Sequence, residues 1–248
     1  MKQLFLLLSI LITLSSAVID NFKTEQKKFS RVKTAFAEKE AVVKSMFKEK
    51  GIDVSSCRIF FRALKKEAKF EVWAKNPDDE KYLLVKTYDI CSSSGELGPK
   101  RKQGDLQVPE GFYEINHFNP YSNFFLSLGV SYPNSSDKIL GGKGDLGGAI
   151  YVHGDCVTIG CLPLTDDKIK EVYVMAVEAK SGGQKSIPIH IFPCKMDKAG
   201  IAYLEKEFEG TPKHIAFWKN IQPGYEYFET NQTLPAISVS GKGEYSFK

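Results

Sequence analysis

Hydrophobic residues recur along this chain with two periods, and the switch between them divides it. From Asn21 to Lys50, Phe29, Val32, Phe36, Val43, Met46 and Phe47 fall three, four and seven apart in a stretch dense in Lys and Glu. That spacing gathers them on one stripe of an amphipathic helix, and Gly51 is placed to end it. The charged face reads as solvated and the stripe as a docking surface. The period then becomes two. In Lys69 to Lys75, Phe70, Val72 and Ala74 alternate with Glu71 and Trp73, Asn76-Pro77-Asp78-Asp79 supplies turn residues, and β-formers resume from Tyr82 to Cys91. Antiparallel strands joined by turns follow from that alternation. Cys57 to Ala63, Gly111 to Ile115, Phe124 to Leu128, Ala149 to Val152 and Ile187 to Phe192 are further strand candidates. Helix signals return at Thr165 to Ala179, with Thr165 as N-cap and Asp166 and Asp167 against the dipole, and again from Met196. The pattern predicts a mainly β protein with helices (α+β), its β-rich core flanked by helices.

The 248 residues are 42% hydrophobic, enough for a core, and 5 Cys are too few to build a disulfide scaffold. Met1-Lys2, the apolar stretch Leu4 to Leu14 and the small residues Ser15-Ser16-Ala17 predict a cleaved export leader, with an apolar stretch too short to span a bilayer. Its removal takes one Lys and no acid, leaving 33 bases against 30 acids. A charge of +3 is too near neutral to indicate nucleic-acid binding. No later segment reaches transmembrane length, so the mature chain is expected to be soluble in an exported compartment; a monomer is expected.

Two Gly- and Pro-rich stretches interrupt the strands. Ser92 to Gly111 is longer than a compact domain usually spends on a connection, which marks it as functional. Gly142-Lys143-Gly144-Asp145-Leu146-Gly147 fits the dinucleotide-binding pattern by letter, but a strand follows it where a helix should begin. Gly98-Pro99-Lys100 lacks the remainder of a phosphate loop. The informative segment is Ile150 to Cys161: an apolar strand ends at His153-Gly154, and a short loop closes on Gly160-Cys161 before Pro163. A His and a Cys eight positions apart across a turn can share a proton, giving a thiolate and an imidazolium. Gly160 lets a carbonyl approach, the Gly160 and Cys161 amides could meet an oxyanion, and Thr158 could hold the loop's shape. Residue types alone leave other readings open. Cys156 and Cys161 are the nearest disulfide pair, and His153, Cys156 and Cys161 with Cys194 or His190 could form a structural zinc site. Cys57, Cys91 and Cys194 read as buried thiols or one disulfide, and His190 as a structural histidine.

His153-Gly154 followed by Thr158-Ile159-Gly160-Cys161 resembles the active-site signature of the L,D-transpeptidase catalytic domain, in the form with a short His-to-Cys loop. Gly98-Pro99-Lys100, Gln103-Gly104-Asp105, Pro109-Glu110-Gly111-Phe112-Tyr113, Asn119-Pro120 and Tyr132-Pro133-Asn134 resemble its flanks in the same order. The resemblance covers roughly Cys57 to Pro193 and continues through Phe217-Trp218. It implies a β-sandwich or barrel core, with a leader at 1–17, an N-terminal helical segment at 18–55, a catalytic domain at 56–195 and a helical C-terminal extension at 196–248. It further implies a periplasmic location, Cys161 as nucleophile, His153 as base, and support from Gly154, Thr158 and Gly160. The substrate would be a peptidoglycan stem peptide, attacked at the L-centre of its diamino acid, with neither metal nor organic cofactor. Two positions depart from the common signature: Ile159 replaces a second His, and Pro163 a basic or amide residue. Substrate contacts are then expected from Lys100, Arg101 and Tyr132. Transpeptidation, trimming of a stem residue and hydrolysis of a wall link all fit a thioester, and a non-catalytic wall-binding or zinc-stabilised protein is the reading from another class.

Overall fold

The computed structural model describes residues 22–248; the expected leader lies outside the described residues. Strand β1 (Arg58–Leu64) is buried along nearly its whole length, so both of its faces must be covered. Ile59, Phe61 and Ala63 join one apolar cluster, whereas Phe60 and Leu64 join others. The first face is covered by α2 (Ser30–Glu49), which follows a short helix α1 (22–26), and by α4 (Asp166–Ser181). Val32, Ala35, Phe36, Val43 and Phe47 are the buried side of α2, which packs on α4. The second face is covered by α5 (Lys198–Glu207) and α6 (Pro212–Asn231), through Leu204, Trp218, Ile221 and Tyr225.

Between these layers runs a curled eight-stranded sheet, giving a mixed α+β fold. Its other strands are β2 (Lys69–Lys75), β3 (Leu83–Asp89), β4 (Gly111–Asn119), β5 (Ser127–Val130), β6 (Tyr151–His153), β7 (Leu162–Pro163) and β8 (Ile187–Phe192), with α3 (Ser135–Leu140) between β5 and β6. The order is β3-β2-β1-β8-β4-β5-β6-β7. The β1–β8 and β6–β7 pairs are parallel and the rest antiparallel. The C-terminal segment, expected as helical, also contains a hairpin of β9 (Ile237–Val239) and β10 (Tyr245–Phe247). Asn220 of α6 holds it, donating to the Tyr245 carbonyl at 2.9 Å and accepting from the Tyr245 amide at 2.8 Å.

Charged groups buried between layers fix how they meet. Arg62 lies under α6, its guanidinium bonded to Glu71 at 2.7 Å and to Glu229 at 2.5 Å and resting against the rings of Trp73, Tyr225 and Phe228. His190 sits beside it among Phe60, Phe112 and Phe192, and burial pushes its imidazole down to about 3, so it is a neutral structural group. The loop of residues 92–110 is tied down by Glu110, which has no exposed surface. Its carboxylate accepts from Lys65 Nζ at 2.8 Å, the Gly98 amide at 2.8 Å and Trp218 Nε1 at 2.7 Å. Lys65 also donates to the carbonyls of Gly98 and Val108.

Removing one partner of a buried ion pair strands the other, which costs about 3–5 kcal/mol. Glu110→Ala is expected to lose stability in that range in urea denaturation, and Glu110→Gln, which keeps an acceptor for Trp218, to lose less. Wild-type midpoints in both variants would show that the pair does not anchor the loop.

Candidate active site

His153 ends β6 and Cys161 precedes β7 by one residue. The parallel register pairs Val152 with Leu162 and His153 with Pro163. Extending it puts Cys161 level with Tyr151, so the His153 and Cys161 side chains leave one edge of the sheet two positions apart. His153 is buried under the ring of Phe124, 4.7 Å between centroids, and its Nδ1 faces the Gly154 carbonyl within hydrogen-bond distance. A carbonyl can only accept, so Nδ1 carries the proton and Nε2 is the basic nitrogen.

The loop between them has little freedom. Gly154 donates to the Leu126 carbonyl at 3.1 Å, and a Cβ there would stand 2.6 Å from Asp166 Oδ1 and 2.9 Å from the Phe124 carbonyl oxygen. Gly160 has φ +132°, and a Cβ on it would lie 3.0 Å from the Gln107 carbonyl oxygen, on the long loop. Thr158 organises the far end. Its Oγ1 accepts from the Cys161 amide at 2.8 Å and the Gly160 amide at 3.2 Å and donates to the Cys161 carbonyl at 3.0 Å. The two amides expected to face an oxyanion are therefore engaged by Thr158 in this resting arrangement.

Cys156 is bonded to Cys91, 65 residues away, which staples the loop to the end of β3. This closes the alternative of a Cys156–Cys161 bond and leaves Cys161 free. It also takes a ligand from the zinc reading, whose other members Cys194 and His190 point to the opposite face of the sheet, against α5, α6 and the hairpin. Among the described residues no group of His, Cys, Asp and Glu could hold a metal ion. Three thiols are free. Cys57 and Cys194 are buried, each pushed up to about 12 by burial, while Cys161 is half-exposed.

Cys161 opens on a cleft of about 290 Å³ whose walls include Lys65, Lys66, Ser92, Ser93, Glu96 and Leu162. Burial raises its thiol above the ordinary value of 9.0, offset in part by a backbone hydrogen bond at Tyr151 and the charge of Lys100. Burial lowers the His153 imidazole below 6.5, offset in part by the Gly154 carbonyl. The sequence suggests a thiolate–imidazolium pair, but both shifts favour a neutral thiol and a neutral imidazole at rest.

The three expected substrate contacts are bound within the protein. Lys100 is buried, donating to Asp105 at 2.5 Å and to the Lys102 carbonyl at 2.9 Å. Arg101 pairs with Asp137 at 2.6 Å and lies over the Phe217 ring. The Tyr132 hydroxyl donates toward the carbonyls of Leu146, at 3.1 Å, and Lys100, at 3.3 Å. They shape the long loop. Ser92 and Ser93, at the start of the long Gly- and Pro-rich stretch, do line the cleft, as does Lys66, which belongs to no motif that singles it out in the sequence.

The comparisons with known proteins agree with the family suggested by the sequence. The L,D-transpeptidase catalytic domain (YkuD) matches residues 64–191. The Escherichia coli K12 protein named "Putative L,D-transpeptidase YafK" is 34% identical over 184 residues, covering 73% of this chain and 70% of that one. The chain belongs to the L,D-transpeptidase family. Among solved structures, the helical cell shape determining protein Pgp2 of Campylobacter jejuni overlaps at a TM-score of 0.44 and 18% identity, covering 80% of each chain. Bdellovibrio bacteriovorus Bd1075 overlaps at 0.40 and 20%, covering 74% of this chain and 77% of that one. Overlaps this loose bear on neither activity nor substrate.

Iodoacetamide at neutral pH is expected to label Cys161 alone in the folded, oxidised protein, since Cys57 and Cys194 are buried and protonated. Peptide mass mapping checks this; labelling of Cys57 or Cys194 ahead of Cys161 would contradict the arrangement.

Proposed function

We propose that this chain is a cysteine acyltransferase of peptidoglycan peptides, with Cys161 as nucleophile and His153 as base. The observation that carries the reading is that one half-exposed free thiol opens on a cleft and shares a sheet edge with a buried, neutral histidine of defined tautomer. Membership of the L,D-transpeptidase family supports the substrate class. We infer the exported location from the leader-like first residues, and the Cys91–Cys156 bond supports it, since such bonds persist in oxidising compartments. No helix among the described residues is long and apolar enough to cross a membrane.

In the proposed reaction His153 Nε2 takes the proton from the Cys161 thiol as Sγ attacks the carbonyl at the L-centre of the stem diamino acid. The tetrahedral intermediate collapses by breaking the C–N bond, and the departing amine takes the proton back from the imidazolium. The thioester left on Cys161 is attacked by an amine or by water, deprotonated by the same nitrogen, and the thiol returns. Because thiol and imidazole are both neutral at rest, proton transfer accompanies attack and His153 acts as a true general base. The Gly160 and Cys161 amides can serve the oxyanion by turning from Thr158 Oγ1, which holds them poised at the nucleophile's own backbone. Amine and water compete for one thioester, so transpeptidation, trimming and hydrolysis of a wall link share this first half.

Cys161→Ala and His153→Ala are expected to abolish turnover of a disaccharide tetrapeptide followed by mass spectrometry, while leaving the melting temperature near wild type. Wild-type rates in either variant would sink the mechanism. The pH profile of kcat/KM should be a broad bell. Activity falls on the acid side as His153 takes a proton, below pH 6.5, and on the alkaline side as the Cys161 proton needed by the leaving amine is lost, above pH 9.0. A plateau confined to about pH 5–7, as a preformed ion pair would give, is the contrary result.

A further inference from the structure

Resting on the reading just given, we propose that Lys66 is the specificity-determining residue that anchors a free carboxylate on the peptide residue flanking the attacked carbonyl. Ser92 and Ser93 line the same cleft. The basic run at Lys100 and Arg101 is engaged with Asp105 and Asp137 and leaves carboxylate recognition without an obvious cation. The cleft at Cys161 offers two others, Lys65 and Lys66. Lys65 is saturated. Its three ammonium protons face Glu110 at 2.8 Å, the Gly98 carbonyl at 2.9 Å and the Val108 carbonyl at 3.0 Å.

Lys66 differs. Its Nζ lies over the Tyr203 ring, 4.1 Å from the centroid, and it has no carboxylate within ion-pair distance among the described residues. An aromatic face steers an ammonium without neutralising it, so the charge remains available to a ligand. Its backbone is fixed, the Lys66 amide donating to the Pro193 carbonyl at 2.8 Å. Ser92 and Ser93, likewise without hydrogen bonds from their hydroxyls among the described residues, follow Cys91, which the disulfide holds in place. Glu96, on the same cleft and also without a cationic partner, penalises a second negative charge. A cleft of about 290 Å³ accommodates an amino-acid-sized group. One cation, two hydroxyls and one opposing acid suit a single terminal carboxylate in preference to a polyanion.

The test separates recognition from turnover. Binding to the Cys161→Ala protein is measured by calorimetry for a stem tetrapeptide with a free C-terminal carboxylate and for the same peptide as its C-terminal amide. One charge-assisted contact predicts about tenfold tighter binding of the carboxylate form. Lys66→Ala on the same background should erase that preference, and Lys66→Arg should keep most of it. In the catalytically intact protein, Lys66→Ala should raise KM for the carboxylate peptide and leave kcat and the amide peptide unchanged. A preference that survives Lys66→Ala, equal binding of both peptides, or binding of neither would overturn the assignment. Turnover by the wild-type chain that does not depend on Cys161 would instead overturn the catalytic reading, and a carboxylate preference carried by Lys66 would stand without it.

Discussion

The Glu110 carboxylate is the point on which the cleft depends. A charge wholly withdrawn from water costs several kcal/mol unless partners meet it. Here they come from three distant places: Lys65 at the end of β1, the Gly98 amide in the long loop, and the Trp218 indole on α6. Satisfying one carboxylate therefore settles the path of the loop against both the sheet and the C-terminal helix. That loop supplies Ser92, Ser93 and Glu96 to the cleft wall, and its Gln107 carbonyl oxygen stands 3.0 Å from where a Cβ on Gly160 would be. A helix far along the chain thus helps to shape the surroundings of Cys161 without touching it. A second buried carboxylate, Asp137, does the same for the other limb of the loop, gathering Arg101, the Tyr113 hydroxyl and the Asn134 amide.

Burial, more than any neighbouring charge, sets the protonation of the Cys161–His153 pair. Phe124 covers the imidazole, a carbonyl fixes its tautomer, and desolvation keeps both partners neutral. A neutral thiol resists chance alkylation and oxidation better than a standing thiolate. The loop is correspondingly firm: Thr158 closes it from within, the Cys91–Cys156 bond from without, and Asp166 at the start of α4 takes the Asp155 amide at 2.9 Å.

Much of this was legible because local chemistry and tertiary packing agree. The bounds of β2 and β8 coincide with their alternating stretches, the α2 stripe is buried as its spacing requires, and Thr165 caps α4 by accepting from the Lys168 amide. The misses have physical reasons. The strand expected at Phe124 to Leu128 begins at Ser127, because Arg31 reaches across from α2 to bind the Ser122 and Phe125 carbonyls, and Phe125 adopts φ +68°. β7 has two residues, too few for any period, and α3 is a capping box hidden among glycines and turn residues. At the site, the His-to-Cys spacing was legible, while the neutrality of the pair was not, since burial is a property of the whole fold. Lys100 and Arg101 read as free cations in the sequence because their acids, Asp105 and Asp137, are recognisable as partners only once the loop has folded. Cys91 and Cys156 are too far apart in sequence to be matched by spacing.

The sheet is divided by its own topology. β1 and β8, neighbours at its centre, pair in parallel, Phe61 opposite Ile189. No hairpin can bring them together; the ladder forms only after nearly all of the chain between has been made and arranged. Without β8 the order divides into two ribbons, β3-β2-β1 and β4-β5-β6-β7, each with an unpaired edge where β8 lies. β8 is thus the keystone of the sheet: one strand, placed near the end of the chain's sheet-forming part, joins two halves that share no other ladder.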